Sequence, residues 1–354
     1  GKNNNTQSML ARISADQVSE IELIRGTSGD LDVRGSTQIA NIILYEALPD
    51  TALSLEITTK LFEDDTSEPG GSLNYTGKLG GLDFLLSAIA EPGYEHQVAK
   101  EHSILADFQP NDQILEDRII DQTQYTLSTN LGYEFSSNST ARLNALYSQN
   151  DNPTTVNRRT TNLRDSTSTP FLERESIPGE QSNWEIGGDY EYRFSNGNRA
   201  KVLFISNEND TASTRQRFEI APTGTESKNL YLDAASILQE RIVRGSYTMK
   251  MFTEQSVEFG MERAQTILES DLRLGLALNS GIPSDAFGGL VPVSVSNANT
   301  RVEEIRYEPF AIHNWRLNSR MSLETSFIYE TSEIEQFGDF NNTRDFNFFK
   351  PKID

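Results

Sequence analysis

The chain has 354 residues, 36% of them hydrophobic, with 52 acidic against 31 basic side chains, a formal net charge of −21 and no cysteine. The missing cysteines exclude disulfides, thiolate metal sites and cysteine nucleophiles, and the acidity argues against a duplex nucleic-acid partner, whose binding rests on Lys and Arg neutralising phosphates. Leu, Ile and Val stand singly or in short runs among Ser, Thr and Asn, too apolar for disorder and too dispersed for a large helical core.

Residues 1–12, GKNNNTQSMLAR, lack the basic start and apolar stretch of a signal peptide. No run reaches the ~18 consecutive apolar residues of a membrane-spanning helix; the most apolar window, LGGLDFLLSAIA at 79–90, is broken by glycines and Asp83. The other route across a bilayer is a closed barrel of strands. Residues 13–48 read as a small α/β piece. Ser14 caps a short helix running through Val18 to Ile21, a strand follows from Ile21 to Arg25, Gly26 and Gly29 mark a turn, and 38–47 form a second, buried strand.

From residue 51 the pattern changes to period 2. Tyr125, Leu127, Leu131, Tyr133 and Phe135 share one parity, opposite Thr126, Ser128, Asn130 and Glu134; Ala141, Leu143, Ala145 and Tyr147 repeat the device after an SSNS turn. Trp184, Ile186, Tyr190, Tyr192 and Phe194 share a face in the next pair, and 242–268 and 302–332 supply two more pairs. Such alternation over ten or more residues marks half-exposed strands. Short turns near 80–82, 136–139, 195–198, 252–255 and 317–319 alternate with long polar connections expected near 93–120, 151–181, 214–239, 271–300 and 332–345. An up-and-down sheet then has its short turns at one end and long loops at the other, the plan of outer-membrane barrels, with aromatic residues near strand ends as girdles. About eleven strands and the start of a twelfth fit between residue 51 and the end, by the ~10-residue strand rule. The competing reading is a soluble or secreted β-rich binding or adhesion protein, in which the apolar faces pack inward against a second sheet. An envelope enzyme on a β-scaffold is a third, but no Ser/His/acid group can be assembled.

Ile21-Glu22-Leu23-Ile24-Arg25-Gly26, followed by Gly35 and Asn41-Ile42-Ile43, resembles the end of the plug domain of TonB-dependent outer-membrane receptors, where the second strand leads straight into the barrel. The resemblance implies two domains, 1–48 as the C-terminal part of a plug and 49–354 as the N-terminal part of a 22-strand barrel. It also implies location in the outer membrane of a Gram-negative bacterium and uptake of a scarce nutrient, such as a ferric siderophore. The partners it implies are TonB, acting through a plug segment not present here, membrane lipid and a small-molecule ligand, with no covalent chemistry and no cofactor. Plug arginines in that family pair with wall glutamates, which assigns plug–barrel contact to Arg25, Gly26, Arg34 and Gly35. The family's barrel ends in an aromatic residue, whereas this chain ends FFKPKID. The expectation is therefore an internal fragment with open strand edges that neither inserts nor transports by itself.

Other motifs carry less. Arg158, Arg159 and Arg164, with Arg174, lie in a polar connection where they could meet an anionic ligand. His96 and His102 fall in YEHQVAKEHS, whose spacing suits no common zinc motif and reads as solvated loop; His313 lies on an apolar parity near Trp315, as an interfacial ring would. GSLNYTGKL at 71–79 has five residues between its glycines and Leu79 in place of Ser or Thr, so it is not a phosphate loop. FEDDTSE at 62–68 reads as an acidic loop tip.

Overall fold

A computed structural model describes residues 18–25, 38–44, 51–165, 167–252, 254–318 and 321–354. Strands β1 (Val18–Arg25) and β2 (Gln38–Leu44) pair antiparallel as a two-stranded sheet of their own, with Arg25 opposite Gln38. Both expected strands exist. However, Val18–Glu20 is extended where a helix was expected, because Val18, Ile21 and Leu23 favour a strand and the pairing to Leu44 extends it. The described residues here give a hairpin and no helix.

The remaining strands form one antiparallel sheet. In chain order they are β3 (Thr51–Leu61), β4 (Ser67–Leu79), β5 (Leu82–Pro92), β6 (Glu95–Ile104), β7 (Pro110–Ile120), β8 (Thr123–Ser136), β9 (Ser139–Asp151), β10 (Thr154–Asn162), β11 (Phe171–Ile177) and β12 (Gly179–Arg193). They continue with β13 (Arg199–Ile220), β14 (Glu226–Phe252), β15 (Gln255–Leu276), the short β16 (Val291–Val293), β17 (Asn299–Asn318), β18 (Met321–Gly338) and β19 (Asn342–Ile353). The backbone of the wall runs β3–β4–β5–β8–β9–β12–β13–β14–β15–β17–β18–β19, each strand antiparallel to the next. Among the described residues no register joins β19 back to β3.

The expected short turns fall where the sequence puts them. Gly80 and Gly81 join β4 to β5, and Phe194–Asn198 closes on Gly197 at a φ of 82°, a left-handed conformation that glycine adopts without strain. The expected long loops do not exist as loops. Residues 95–120 form the hairpin β6–β7, residues 154–177 form β10–β11, and 214–238 are the tops of β13 and β14, continued without interruption from the wall. The signature of β6–β7 and β10–β11 differs from that of the wall: they show no sustained hydrophobic alternation, yet they pair fully, whereas the top of β14 keeps one in Leu230, Leu232 and Ala234, opposite Leu276, Leu274 and Leu272 of β15. Only the connection between β15 and β17 keeps a long irregular path, carrying β16 and a 3-10 turn at Asp285–Phe287.

A line of strand breaks divides wall from extension. β5 stops at Pro92 and resumes as β6; β8 continues β7 past Asp121 and Gln122; β10 continues β9 past Asn152 and Pro153; β12 continues β11 past Pro178. Backbone bonds bridge neighbouring breaks: Gly93 N–H donates to Gln122 O at 2.8 Å, Asn152 N–H to Gly179 O at 2.9 Å, and Thr214 N–H to Pro178 O at 3.0 Å. Above the line the pairing is β6–β7–β10–β11–β13. Proline cannot donate to a ladder, which suits Pro92, Pro153 and Pro178 to these breaks.

Candidate functional site

The two faces of the wall differ. One register row on the outward face reads Tyr133, Ala141, Tyr190, Val202, Gly245, Met261, Pro309 across seven strands. Leu55, Ile57 and Leu127 on this face are 68%, 79% and 58% exposed. Among the described residues no second sheet covers them, whereas a sandwich would bury these side chains. On β12 the apolar run extends from Trp184 to Phe194, roughly 33 Å of strand at ~3.3 Å per residue, or ~25 Å along the normal of a barrel whose strands tilt by ~40°. At its lower edge the rings of Tyr133, Phe135 and Tyr190 touch in sequence, with centroids 4.7 and 6.3 Å apart. Tyr192, Phe194, Tyr247 and Phe259 continue the line at 4.9, 5.8 and 5.6 Å. At its upper edge Tyr147 pairs across with Trp184. Two aromatic borders around an aliphatic middle are the pattern of a surface spanning water, lipid and water.

The inward face at the same height is charged, with Arg244 and Glu191 buried and their neighbours half-buried or exposed. Arg244 donates to Glu258 Oε1 at 3.2 Å and stacks on Phe310 at 4.4 Å, and that ring lies across Gly260, where any Cβ would meet it at 2.6 Å. Arg306 Nη2 reaches Glu262 at 3.5 Å, and Lys350 reaches Glu308 at 3.6 Å and also binds Glu330. On β12, Glu191 accepts from Arg193 at 2.8 Å with Arg199 at 3.8 Å. Ionised groups at the height of an apolar belt are tolerated where they are paired and face a polar interior. His313 is on the outward parity, its Nε2 3.1 Å from Gln255 Oε1.

The extension is held by ion pairs. Glu116 on β7 accepts from Arg158 Nε and Nη2 at 3.1 and 2.6 Å; Arg158 also lies 3.7 Å from Glu173 and 3.8 Å from Glu175 on β11. Arg215 on β13 forks onto Glu175 at 2.8 and 2.7 Å, and Arg217 lies 3.4 Å from Glu173. Glu175, 2% exposed, is buried beside Val156. Arg174 forks onto Glu226 at 2.9 and 2.6 Å with its guanidinium 4.6 Å from the Phe218 centroid.

The structure therefore does not bring Arg158, Arg159 and Arg164 to one place. Arg158 is enclosed by three carboxylates, Arg159 is exposed on the opposite face of β10, and Arg164 lies in the β10–β11 turn. Arg25 ends β1, and Gly26, Arg34 and Gly35 lie outside the described residues.

The acidic tip is tied down. The Asp64 carboxylate accepts from Tyr94 Oη and lies 3.0 Å from His96 Nδ1, while His96 Nε2 lies 3.0 Å from Asp117 Oδ1. The Tyr94 hydrogen bond, chiefly, draws Asp64 down to about 2, and the Asp64 bond followed by Asp117 raises His96. His96 is thus a strand residue that fastens the β3–β4 turn to β6 and β7, in place of the solvated loop residue expected from sequence; His102 stays exposed on β6. Among the described residues no group of three His or carboxylate side chains is arranged to hold a metal ion.

No protein-family model and no curated protein sequence matches this chain. Among solved structures it is similar to the unliganded ferric citrate transporter FecA, at 9% identity and a TM-score of 0.35, covering 97% of this chain and 66% of that one. It is also similar to the CymD monoaromatic hydrocarbon channel, at 10% identity and a TM-score of 0.24, covering 86% and 87%.

Proposed function

We propose that residues 49–354 are a wall segment of an outer-membrane barrel transporter, and that residues 1–48 are the end of its plug. One observation carries this: a belt ~25 Å high, aliphatic at mid-height and aromatic at both borders, backed by a paired charged face on the same strands. The short turns then face the periplasm and the hairpins β6–β7 and β10–β11 face the exterior. The chain has no cysteine, so single cysteines report topology cleanly. In the intact protein carrying these residues, Val98→Cys is labelled by an impermeant maleimide on whole cells. Ser137→Cys is labelled only after the outer membrane is opened, and Leu131→Cys resists the reagent in both. Leu131→Cys labelled as fast as Val98→Cys would sink the reading.

The finer reading is uptake of a scarce small ligand energised by TonB, with Arg25 and Arg34 set against carboxylates of the inward face. Its support is the resemblance of Ile21–Gly26 and Asn41–Ile43 to a plug end, together with an inward wall rich in Glu. Arg25→Ala in the intact protein is expected to loosen the plug and lower uptake; normal uptake with a protease-resistant plug would remove that assignment.

A further inference from the structure

We infer that the outward pair Arg241 and Arg263, at the upper border of the belt, binds the phosphate of an anionic lipid headgroup; this rests on the membrane reading above. Rows slope relative to the short turns: counted from them, Trp184 stands nine residues up β12, Arg263 eight up β15 and Arg241 eleven up β14, whereas Leu131 stands five up β8. On β13, β14 and β17 the row Phe204, Val243, Tyr307 beside Arg263 is the last that is mainly apolar. One residue pair higher the outward row is Ile186, Ser206, Arg241, Gln265, Ile305. Arg263 pairs across with Val243 and Arg241 with Gln265, so the two arginines are diagonal neighbours on one face, their backbones roughly 7–8 Å apart.

Their partners set them apart from the carboxylate-held arginines of this face and of the extension. Arg301, two rows up on the same face, is held by Glu269 and by Glu303 at 3.0 Å, and Arg158, Arg174 and Arg215 are held by carboxylates as described. Neither Arg241 nor Arg263 has an ion pair: Arg241 Nη2 donates to the Gln239 amide oxygen at 3.4 Å, and the Arg263 guanidinium lies 6.0 Å from the Tyr307 ring. Glu208 and Glu303 stand one row above on the same face, where they accept from Gln239 and Gln265, and Glu303 feels the charge of Arg241 without bonding to it. Two cations with no carboxylate at bonding distance, in a chain of net charge −21, invite an anion. Guanidinium groups present planar forks that match phosphate oxygens. Below them Val243, Met261 and Phe259 are exposed apolar surface, so a ligand with phosphate above and acyl chains below satisfies both halves. That combination selects a lipid over a free anion.

The test uses the intact protein in bilayers of phosphatidylcholine containing one-tenth phosphatidic acid, followed by gentle extraction and native mass spectrometry of retained lipid. Wild type is expected to retain phosphatidic acid over phosphatidylcholine by roughly tenfold to thirtyfold at low salt, the scale for two arginines at an anionic surface. Arg241→Gln with Arg263→Gln is expected to lose most of that preference, and the paired Lys variants to keep part of it. Equal retention of the two lipids by wild type, or undiminished preference in the Gln variant, overturns the site while leaving the membrane reading standing. Displacement of the lipid by millimolar inorganic phosphate overturns the choice of a lipid over a free anion. A protein that fails to insert, read by the cysteine labelling, overturns both.

Discussion

The wall below the line of breaks and the extension above it are parts of the same strands held by opposite means. In the wall, the strands turn mainly apolar side chains outward and most of their ionised ones inward, and the burial of Arg244 and Phe310 occurs on the inward side. In the extension's hairpins β6–β7 and β10–β11 both faces are mainly polar, and cohesion comes from backbone ladders stapled by Glu116, Arg158, Glu175 and Arg215. Strand pairing does not care which solvent surrounds it, but side chains do. The composition of a face therefore reports the medium it meets, while the ladder continues from one medium to the next.

Three measurements press on that contrast. The largest effect belongs to charge placed at mid-belt. Leu131→Arg should cost about 2–4 kcal/mol of folding stability in a bilayer, whereas Val98→Arg, on the exposed β6, should change it by about 0.5 kcal/mol or less; similar values for the two in bilayer unfolding would erase the distinction between regions. Next comes Glu175→Ala. It leaves Arg158 and Arg215 without their shared carboxylate, at a cost of about 2 kcal/mol, below the ~3–5 of a fully buried pair because Arg215 is 42% exposed. Hydrogen exchange should quicken in β10 and β11 and stay unchanged in β8 and β9; uniform quickening would mean the two regions fold as one.

The smallest effect is in the fastening of the acidic tip. His96 is raised, so its contribution is full below its ordinary value of 6.5 and fades as pH rises through the raised one. Asp64 is lowered from 3.8 to about 2, so its contribution is present above 3.8 and fades as pH falls towards 2. Protection of residues 62–66 should therefore be greatest between these limits, and His96→Phe should flatten only the alkaline side. A pH-independent exchange rate there would discard the clamp. The groups facing His96 are Asp64 and Asp117, with Tyr94 bonded to Asp64 and Asp121 acting on Tyr94.

The wall was legible from residues such as Tyr125 to Phe135 and Trp184 to Phe194, because a strand between two media writes its period into the sequence. The extension was not. EHQVAKEHSI is a strand of ten residues, β6, but with no apolar face it carries no period, and Gly93, Pro153 and Pro178 look like loop punctuation. The strict alternation of turn ends survived this error, since a hairpin returns the chain as a loop does. The ion pairs were hidden for another reason: Arg158 meets Glu116, 42 positions earlier, and Arg306 meets Glu262, 44 earlier, and nothing local marks either partner. His96 was misread as solvated because Asp64 arrives from a turn 32 residues away.

The breaks at Gly93, Gln122, Pro153 and Pro178 also bear on how such a chain can diversify. Registers beneath them are fixed by their own ladders, and the bridging bonds need only a backbone at each crossing. Hairpins of other lengths and compositions can thus be grafted at these four points while the spanning portion keeps its alignment, so the outer part can be exchanged for a new one as a cassette.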